Sequence, residues 1–158
     1  MLSKRPAFLA SAAAAAVALL TGCSVASAHE DPPPATVKSI PGSAVKQLTL
    51  TPQAVHRLGI ATVPVRAGQA LTRLPIPPHG RQGTYRLIPY SAVVYDNDGS
   101  TWAFVNTAPR TYVRQRITVG AIQGSAAVLT AGPAAGAVVV TVGVPELLGT
   151  EYNISGEE

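Results

Sequence analysis

The stretch Ile88–Val105, IPYSAVVYDNDGSTWAFV, carries the clearest fold signal in the chain. One apolar run covers Ile88–Tyr95, and a second covers Thr101–Val105. Between them stands Asp96–Gly99, DNDG, and an Asp-Gly pair between two apolar runs is typical of a β-hairpin turn. We therefore predict a hairpin here, and with it a fold built from short strands.

The sequence on both sides of this hairpin repeats the same pattern of short strands and turns. The further strand candidates are Val45–Leu50, Ile60–Val65, Val113–Val119, Ala126–Thr130 and Val138–Val142. Val138–Val142 is apolar at four of its five positions, which indicates a strand buried on both faces. One short helix is predicted at Pro52–Leu58, because Thr51 can cap its start and Gly59 can end it. We expect a mainly β fold, a single compact β-roll or barrel-like domain with one short helix.

Composition limits the alternatives to this fold. The chain has 158 residues, of which 14 are Gly and 14 are Pro, and so many helix breakers disfavour a helix bundle. A single Cys excludes a disulfide framework and a Cys-based zinc finger. The charged fraction of 13% is too low for a disordered chain. The length fits one domain with an N-terminal tail.

The N-terminus has the pattern of an export signal. A basic pair precedes the apolar stretch Ala7–Leu20, which is too short for an ordinary transmembrane helix. The stretch ends in Leu20–Cys23, LTGC, which resembles the lipobox of bacterial lipoproteins. That resemblance implies a signal peptide at 1–22 and a lipid anchor on Cys23, with the protein facing the extracytoplasmic side of a cell-envelope membrane. A simple secretory signal cut at Ala26–Ala28 is the alternative.

A Pro-rich segment separates the proposed anchor from the folded part. Residues 23–44 include Pro32-Pro33-Pro34 and are typical of a semi-rigid linker, so the β domain is predicted at 45–158. Residues 67–84 are rich in Pro and Gly and are predicted to form a loop. No acidic residue occurs between positions 32 and 95, which favours contact with anionic lipid headgroups, with a solvated surface as the alternative. A nucleic-acid partner is disfavoured because the chain has no aromatic-basic motif.

Several segments together resemble one protein family. They are Ile88–Asp96, Trp102–Val105, Arg114–Gly120 and Val138–Gly143. This set is similar to the C-terminal part of periplasmic adaptor subunits, also called membrane fusion proteins, of RND-type efflux systems. Leu48–Thr62 resembles an N-terminal segment of the same family. The resemblance implies a membrane-proximal β domain formed by both chain ends, without the lipoyl-like domain and helical hairpin, because only 67–84 lies between them.

This resemblance implies a non-enzymatic, lipid-anchored accessory component of an efflux or transport system. Its partner would be an inner-membrane transporter or an adaptor subunit, although a chain without the helical hairpin would not reach an outer-membrane channel. Trp102 and Phe104 share one face of their strand, as Arg114 and Arg116 do on theirs. We take these four side chains as candidate partner contacts, with core packing as the alternative for the two aromatic rings.

A stand-alone envelope lipoprotein that binds a small ligand or a metal ion is the second hypothesis. His29 stands beside two acidic residues, and imidazole and carboxylate are good metal ligands. His56 and His79 are isolated from it, however, and the chain has no H-x-x-x-H pair and no G-x-S-x-G elbow. The turn at Asp96–Gly99 resembles the start of a calcium loop but lacks its later Glu. No catalytic residue, cofactor or metal ligand is therefore predicted.

Overall fold

The computed structural model of this protein describes residues 32–68 and 85–152. In these residues the strands are β1 (Ala35–Ser39), β2 (Lys46–Leu50), β3 (Ala61–Pro64), β4 (Arg66–Gly68), β5 (Tyr85–Pro89), β6 (Val94–Tyr95), β7 (Thr101–Ala108), β8 (Thr111–Gln123), β9 (Ala126–Ala131) and β10 (Val138–Val142). The helices are α1 (Pro52–Leu58) and α2 (Val144–Tyr152), with a short 3-10 turn at Tyr90–Ala92. The predicted signal peptide with Cys23, and most of the predicted loop 67–84, lie outside the described residues.

The strands form a nearly closed, barrel-like sheet, which confirms the predicted fold class. Its order is β3-β10-β7-β8-β9-β5-β4, and each pairing is antiparallel. The first and last strands of this path, β3 and β4, are consecutive in the chain and are separated by Val65 alone. The Val65 N–H donates to the carbonyl of Ala137 at 2.7 Å, and the Gly136 N–H donates to the carbonyl of Val65 at 2.9 Å. These two bonds attach Val65, between β3 and β4, to the residues that precede β10. We call this junction, where the barrel closes, the seam.

The predicted hairpin is formed by β6 and β7. The Gly99 N–H donates to the carbonyl of Asp96 at 2.9 Å, and Gly99 has a φ of 78°, which glycine adopts without strain. The Asp98 carboxylate accepts the Ser100 N–H at 2.8 Å, and bonds from Ser100 lower the pKa of Asp98. The apolar run Ile88–Tyr95 is not one strand, however, because the 3-10 turn divides it between β5 and β6.

The central strands bury side chains on both faces. Phe104 of β7 belongs to a helix-side core, whereas Ala103 and Val105 belong to a barrel core. The helix-side core comprises Leu48, Leu50, Ala54, Val94, Phe104, Tyr112, Val140, Val144 and Leu147. The barrel core comprises Val65, Ile88, Ala92, Ala103, Val105, Ile117, Ala127, Leu129 and Val139. Each face of the sheet therefore removes its own set of apolar groups from water.

The prediction for β10 is confirmed at Val139 and Val140, whereas Val142 at the end of the strand is 51% exposed. Val139 lies in the barrel core and Val140 in the helix-side core, and both are 0% exposed. A strand with one solvated face alternates apolar and polar residues, but one covered on both faces can be apolar throughout. The run VVVTV is thus explained by α1 and α2 covering one face of the barrel wall.

Helix α1 has the predicted bounds. The Thr51 hydroxyl accepts the Ala54 N–H at 3.2 Å, which satisfies one free donor at the helix start. Gly59 ends the helix with a φ of 61°, in the left-handed region. Ala54 is the residue that α1 buries in the helix-side core, so this short helix depends on packing as well as on its caps.

Three elements were not predicted from the sequence, and one of them is β4 (Arg66–Gly68), whose last two residues were assigned to the loop 67–84. β1 lies within the segment 23–44 that was interpreted as a linker, and it pairs antiparallel with β2, with Ala35 opposite Leu50. Helix α2 follows β10, with Pro145 in its first turn, where the missing N–H costs nothing. Leu147 is 0% exposed and attaches α2 to the helix-side core. The domain is therefore larger at its N-terminal edge than predicted, and it has a second helix.

Arg86 of β5 holds the loop between β9 and β10. Its Nη1 donates to the carbonyl of Gly132 at 2.7 Å, and its Nη2 donates to the carbonyl of Thr130 at 3.2 Å. Arg86→Gln should lower the free energy of unfolding by about 1–3 kcal/mol, the range for losing hydrogen bonds from a charged donor. Urea unfolding measures this change. Arg66→Gln on the paired strand β4 removes an exposed guanidinium and is the control; equal effects of the two changes would contradict this role.

Candidate functional site

Arg114 of β8 is a buried cation with two acidic partners. Its side chain is 5% exposed, and Nη1 lies 2.8 Å from Oδ2 of Asp96 in the β6–β7 turn. Nε lies 3.1 Å from Oε2 of Glu151 in α2, whose side chain is 2% exposed. Arg114 thus joins the end of the hairpin to the last turn of α2. We call Arg114, Asp96, Glu151, Trp102 and Tyr152 the arginine cluster.

Two aromatic rings enclose the guanidinium. Its carbon lies 4.6 Å from the centre of the Trp102 ring and 5.3 Å from that of the Tyr152 ring. Both distances are within the range of cation–π attraction. The Tyr152 hydroxyl donates to Oδ2 of Asp96 at 3.2 Å, and the Trp102 indole N–H donates to the Ser100 hydroxyl at 2.7 Å. Each ring is therefore oriented by a hydrogen bond as well as by the cation.

Glu151 also ties α2 to β2. Its Oε1 accepts the backbone N–H of Lys46 at 3.1 Å, and its carbonyl accepts a bond from the Lys46 ammonium at 2.9 Å. Arg114 Nε and Glu151 Oε2 are both buried, and neither has a hydrogen-bond partner among the described atoms. Each of these two atoms is therefore compensated by the opposite charge of the other, across 3.1 Å.

The arginine cluster favours the charged states of Arg114 and Asp96. Burial lowers the pKa of Arg114, but the Tyr152 hydroxyl and the carboxylates of Glu151 and Asp96 raise it more, so the net change is upward. The Asn97 N–H and then the Arg114 guanidinium lower the pKa of Asp96. Arg114 and Asp96 thus remain ionised at neutral pH, and the cluster holds elements together rather than exchanging protons.

Two of the four candidate contacts are corrected by the structure. Phe104 is 0% exposed in the helix-side core, and Arg114 lies beneath the last turn of α2. Neither side chain presents a surface to a partner. The reason is α2, whose Val144 and Leu147 pack in the same core as Phe104. The alternative of core packing is therefore the one that Phe104 fits.

The other two candidates do lie at the surface. Trp102 is half-buried and Arg116 is exposed, and they are directly opposed in the pairing of β7 with β8. The Arg116 guanidinium carbon lies 5.6 Å from the centre of the Trp102 ring. Trp102 is thus in contact with a buried arginine and with an exposed one.

Three exposed tyrosines near this hairpin were missed by the sequence analysis. Tyr90, Tyr95 and Tyr152 are 45%, 55% and 49% exposed. The ring centres of Tyr90 and Tyr95 lie 6.4 Å apart. A hydrogen bond between the two side chains raises the pKa of Tyr95. Tyr95 directly precedes the turn, but its exposure was not predicted because it belongs to the apolar run Ile88–Tyr95.

We define the hairpin surface as Tyr90, Tyr95, Trp102, Arg116 and Tyr152. Val94 pairs with Trp102 and Tyr95 pairs with Thr101, so the hairpin presents aromatic rings on both of its faces. Aromatic and arginine side chains are enriched where proteins bind one another. This chemistry suits a protein partner better than a small polar substrate.

The histidine hypothesis gains no support from the described residues. His56 is exposed on α1, whereas His29, His79 and Cys23 lie outside the described residues. Within 32–68 and 85–152, no group of three or more His, Cys, Asp or Glu side chains is placed to hold a metal ion. In the same ranges, none of the helices is long and apolar enough to cross a membrane.

Comparisons with known proteins add no relative to this description. No protein-family model matches the chain, and no curated protein matches it either.

Proposed function

We propose that this protein is a lipid-anchored accessory component of an efflux or transport system, similar to a shortened periplasmic adaptor subunit. It acts without enzymatic chemistry, by binding an inner-membrane transporter or an adaptor subunit. The anchor is the lipidated Cys23, and the hairpin surface provides the contact. The resemblance of the sequence to adaptor subunits motivates this proposal, and one feature of the sheet supports it.

The supporting observation is the pairing of two distant segments. β2 and β3 come from the N-terminal segment that resembles adaptors, and β8 and β10 come from the C-terminal ones. Thr62 of the N-terminal segment pairs with Val140 of the C-terminal segment Val138–Gly143, and Leu48 pairs with Tyr112, two positions before the segment Arg114–Gly120. Both chain ends thus build one β domain, as the resemblance implies for a membrane-proximal domain.

The position of the shortened middle is consistent with the same proposal. Gly68 at the end of β4 pairs with Tyr85 at the start of β5. Residues 69–84 therefore connect two neighbouring antiparallel strands, where the family would carry its lipoyl-like domain and helical hairpin. A connection between such neighbours can be short or long without changing their pairing.

Purification from solubilised membranes tests the proposed partner. The tagged full chain should recover an integral inner-membrane transporter, identified by mass spectrometry. Tyr95→Arg should reduce that recovery at least tenfold, because interface energy concentrates in a few aromatic and arginine side chains. Ile122→Arg is the control, since Ile122 of β8 is 45% exposed outside the hairpin surface. Recovery of the protein with neither a transporter nor an adaptor subunit would contradict the proposal.

Cys23→Ala tests the proposed anchor. The change should abolish incorporation of a labelled palmitate analogue, and it should move the protein from the membrane fraction to the soluble one, because multiple acyl chains are what hold a lipoprotein stably. Cleavage at Ala26–Ala28 remains available to the altered chain. Ser24→Ala, one position further on, should leave both readouts unchanged. Palmitate label that persists in Cys23→Ala would show that the anchor is elsewhere.

A further inference from the structure

An apolar groove of about 270 Å³ lies along the seam of the barrel. β3 contributes Val63 and Pro64 to its walls, and β5 contributes Leu87, Ile88 and Pro89. The groove is separate from the arginine cluster and from the hairpin surface, since it shares no residue with either of them. It is therefore a feature that the proposed partner contact does not explain.

The groove forms where strand β4 ends and where strand β3 has no described pairing partner on the side that faces β5. β4 pairs with β5 only as far as Arg66 opposite Leu87. β5 continues to Pro89, where its described partner is Ala126 of β9 alone. β3 pairs with β10 on one side and with no other described strand. The seam is consequently open between Val63 and Ile88.

An extended peptide is a poor occupant for this opening. Pro64 and Pro89 stand on the two strands that flank it, and proline has no N–H to donate to an added strand. Proline at an edge is a usual way of preventing such pairing. What the two strands offer instead is apolar side-chain and ring surface, which suits a small molecule better than a strand.

The floor of the groove reaches the barrel core. Ile88 is 1% exposed and belongs to that core, and Val63 is a partly buried residue packed against it. An apolar group placed here would leave water and contact core side chains, the interaction that drives most small-molecule binding. The space is also of useful size. An apolar cavity of about 150 Å³ holds a benzene molecule, so this groove has room for roughly ten heavy atoms.

The one charged side chain that lines the groove is Arg66. It is exposed, and no salt bridge joins it to an acidic side chain in the described residues. Ser125 is the other residue with a polar side chain that lines the groove. An unpaired guanidinium beside an apolar surface matches a carboxylate with a hydrocarbon body, because the planar fork binds two carboxylate oxygens together.

We propose that this groove binds a small amphipathic carboxylate. The hydrocarbon part lies over Val63 and Ile88, between the two proline rings, and the carboxylate pairs with Arg66. Octanoate, with ten heavy atoms and one negative charge, is the appropriate probe. Octanol has nearly the same chain without the charge, and so it separates the contribution of Arg66 from that of the apolar walls.

Equilibrium dialysis of the full lipidated chain in nanodiscs tests this site. The amount of probe that enters the lipid is measured with empty nanodiscs and subtracted. Octanoate should bind saturably, at one molecule per chain and about fivefold more tightly than octanol, the ratio expected for a single exposed ion pair. Arg66→Gln should remove that difference and leave octanol binding within twofold. Binding no greater than in empty nanodiscs, or octanoate binding unchanged in Arg66→Gln, would overturn the proposal.

A groove-filling variant gives a second, independent readout. Ala126 lines the groove at the start of β9, so Ala126→Phe should weaken both probes at least tenfold. Ala131, at the exposed end of the same strand, lies outside the groove, and Ala131→Phe should leave both affinities unchanged. Equal losses in the two variants would mean that the probes do not bind at the seam.

Discussion

Replacing Arg114 with Met should lower the free energy of unfolding by about 3–5 kcal/mol, the cost of leaving one member of a buried ion pair without its partner. Glu151 would remain with a side chain that is 2% exposed and with Oε2 facing no cation. The two rings that enclose the guanidinium, Trp102 and Tyr152, would lose their cation as well. We therefore expect the last turn of α2 to loosen first.

Arg116→Met is the matched control for this prediction. Arg116 stands two residues further along β8 and contacts the same Trp102 ring, but it is exposed. Its replacement should change stability by less than about 1 kcal/mol, as for most exposed charges. The pair Arg114→Met with Glu151→Leu should recover much of the loss, because both buried charges are then gone. Urea unfolding of purified chains measures all three, and equal effects of the two single arginine changes would contradict the buried-pair account.

Phe104→Ala should cost about 3–5 kcal/mol of unfolding free energy, because it removes a large side chain and leaves a cavity. Phe104 is 0% exposed, and it packs in the helix-side core with residues of β2, β10 and α2. The loss should appear in the purified protein without any partner. A partner contact would instead affect binding and leave the stability of the isolated chain intact.

Tyr95→Ala gives the comparison for Phe104. It also replaces an aromatic ring by a methyl group, but at a site that is 55% exposed. Such a surface change should alter stability by no more than about 0.5 kcal/mol. Thermal and urea unfolding check both variants. A cost below about 1 kcal/mol for Phe104→Ala would contradict its place in the core.

The elements that could be predicted from the sequence are those that local chemistry determines. Helix α1 begins and ends where Thr51 and Gly59 supply its caps, and both act on residues within one turn. The hairpin turn follows from Asp96–Gly99 alone. β10 was predicted as buried on both faces because apolar residues occupy both faces of the strand.

The elements that were missed depend on partners distant in the chain. β1 is stable because it pairs with β2, and its own sequence, between proline-rich stretches, resembles a linker. Helix α2 carries both a Pro and a Gly, so its local preference is weak, and burial of Leu147 in the helix-side core stabilises it. Neither contact leaves a periodic signal in the sequence.

Only part of the candidate site could be predicted, because the burial of a side chain also depends on elements that are distant in the chain. Trp102 and Arg116 were candidate partner contacts, with core packing as the alternative for Trp102, and in the structure Trp102 is half-buried and Arg116 is exposed. Arg114 follows the same strand alternation as Arg116, yet α2 covers it and brings Glu151 to its side. A charged residue on a polar strand face cannot be distinguished from a buried one until the covering element is known.

Photo-crosslinking from the hairpin surface tests the central claim most directly, namely that this surface contacts a membrane transporter. A photoreactive amino acid is placed at Tyr95 in the full chain, and at Ile122 in a matched control, both at exposed positions. After irradiation of intact cells, Tyr95 should form an adduct with an inner-membrane transporter, and Ile122 should not. The same adduct from both positions, or none from Tyr95, would contradict the account.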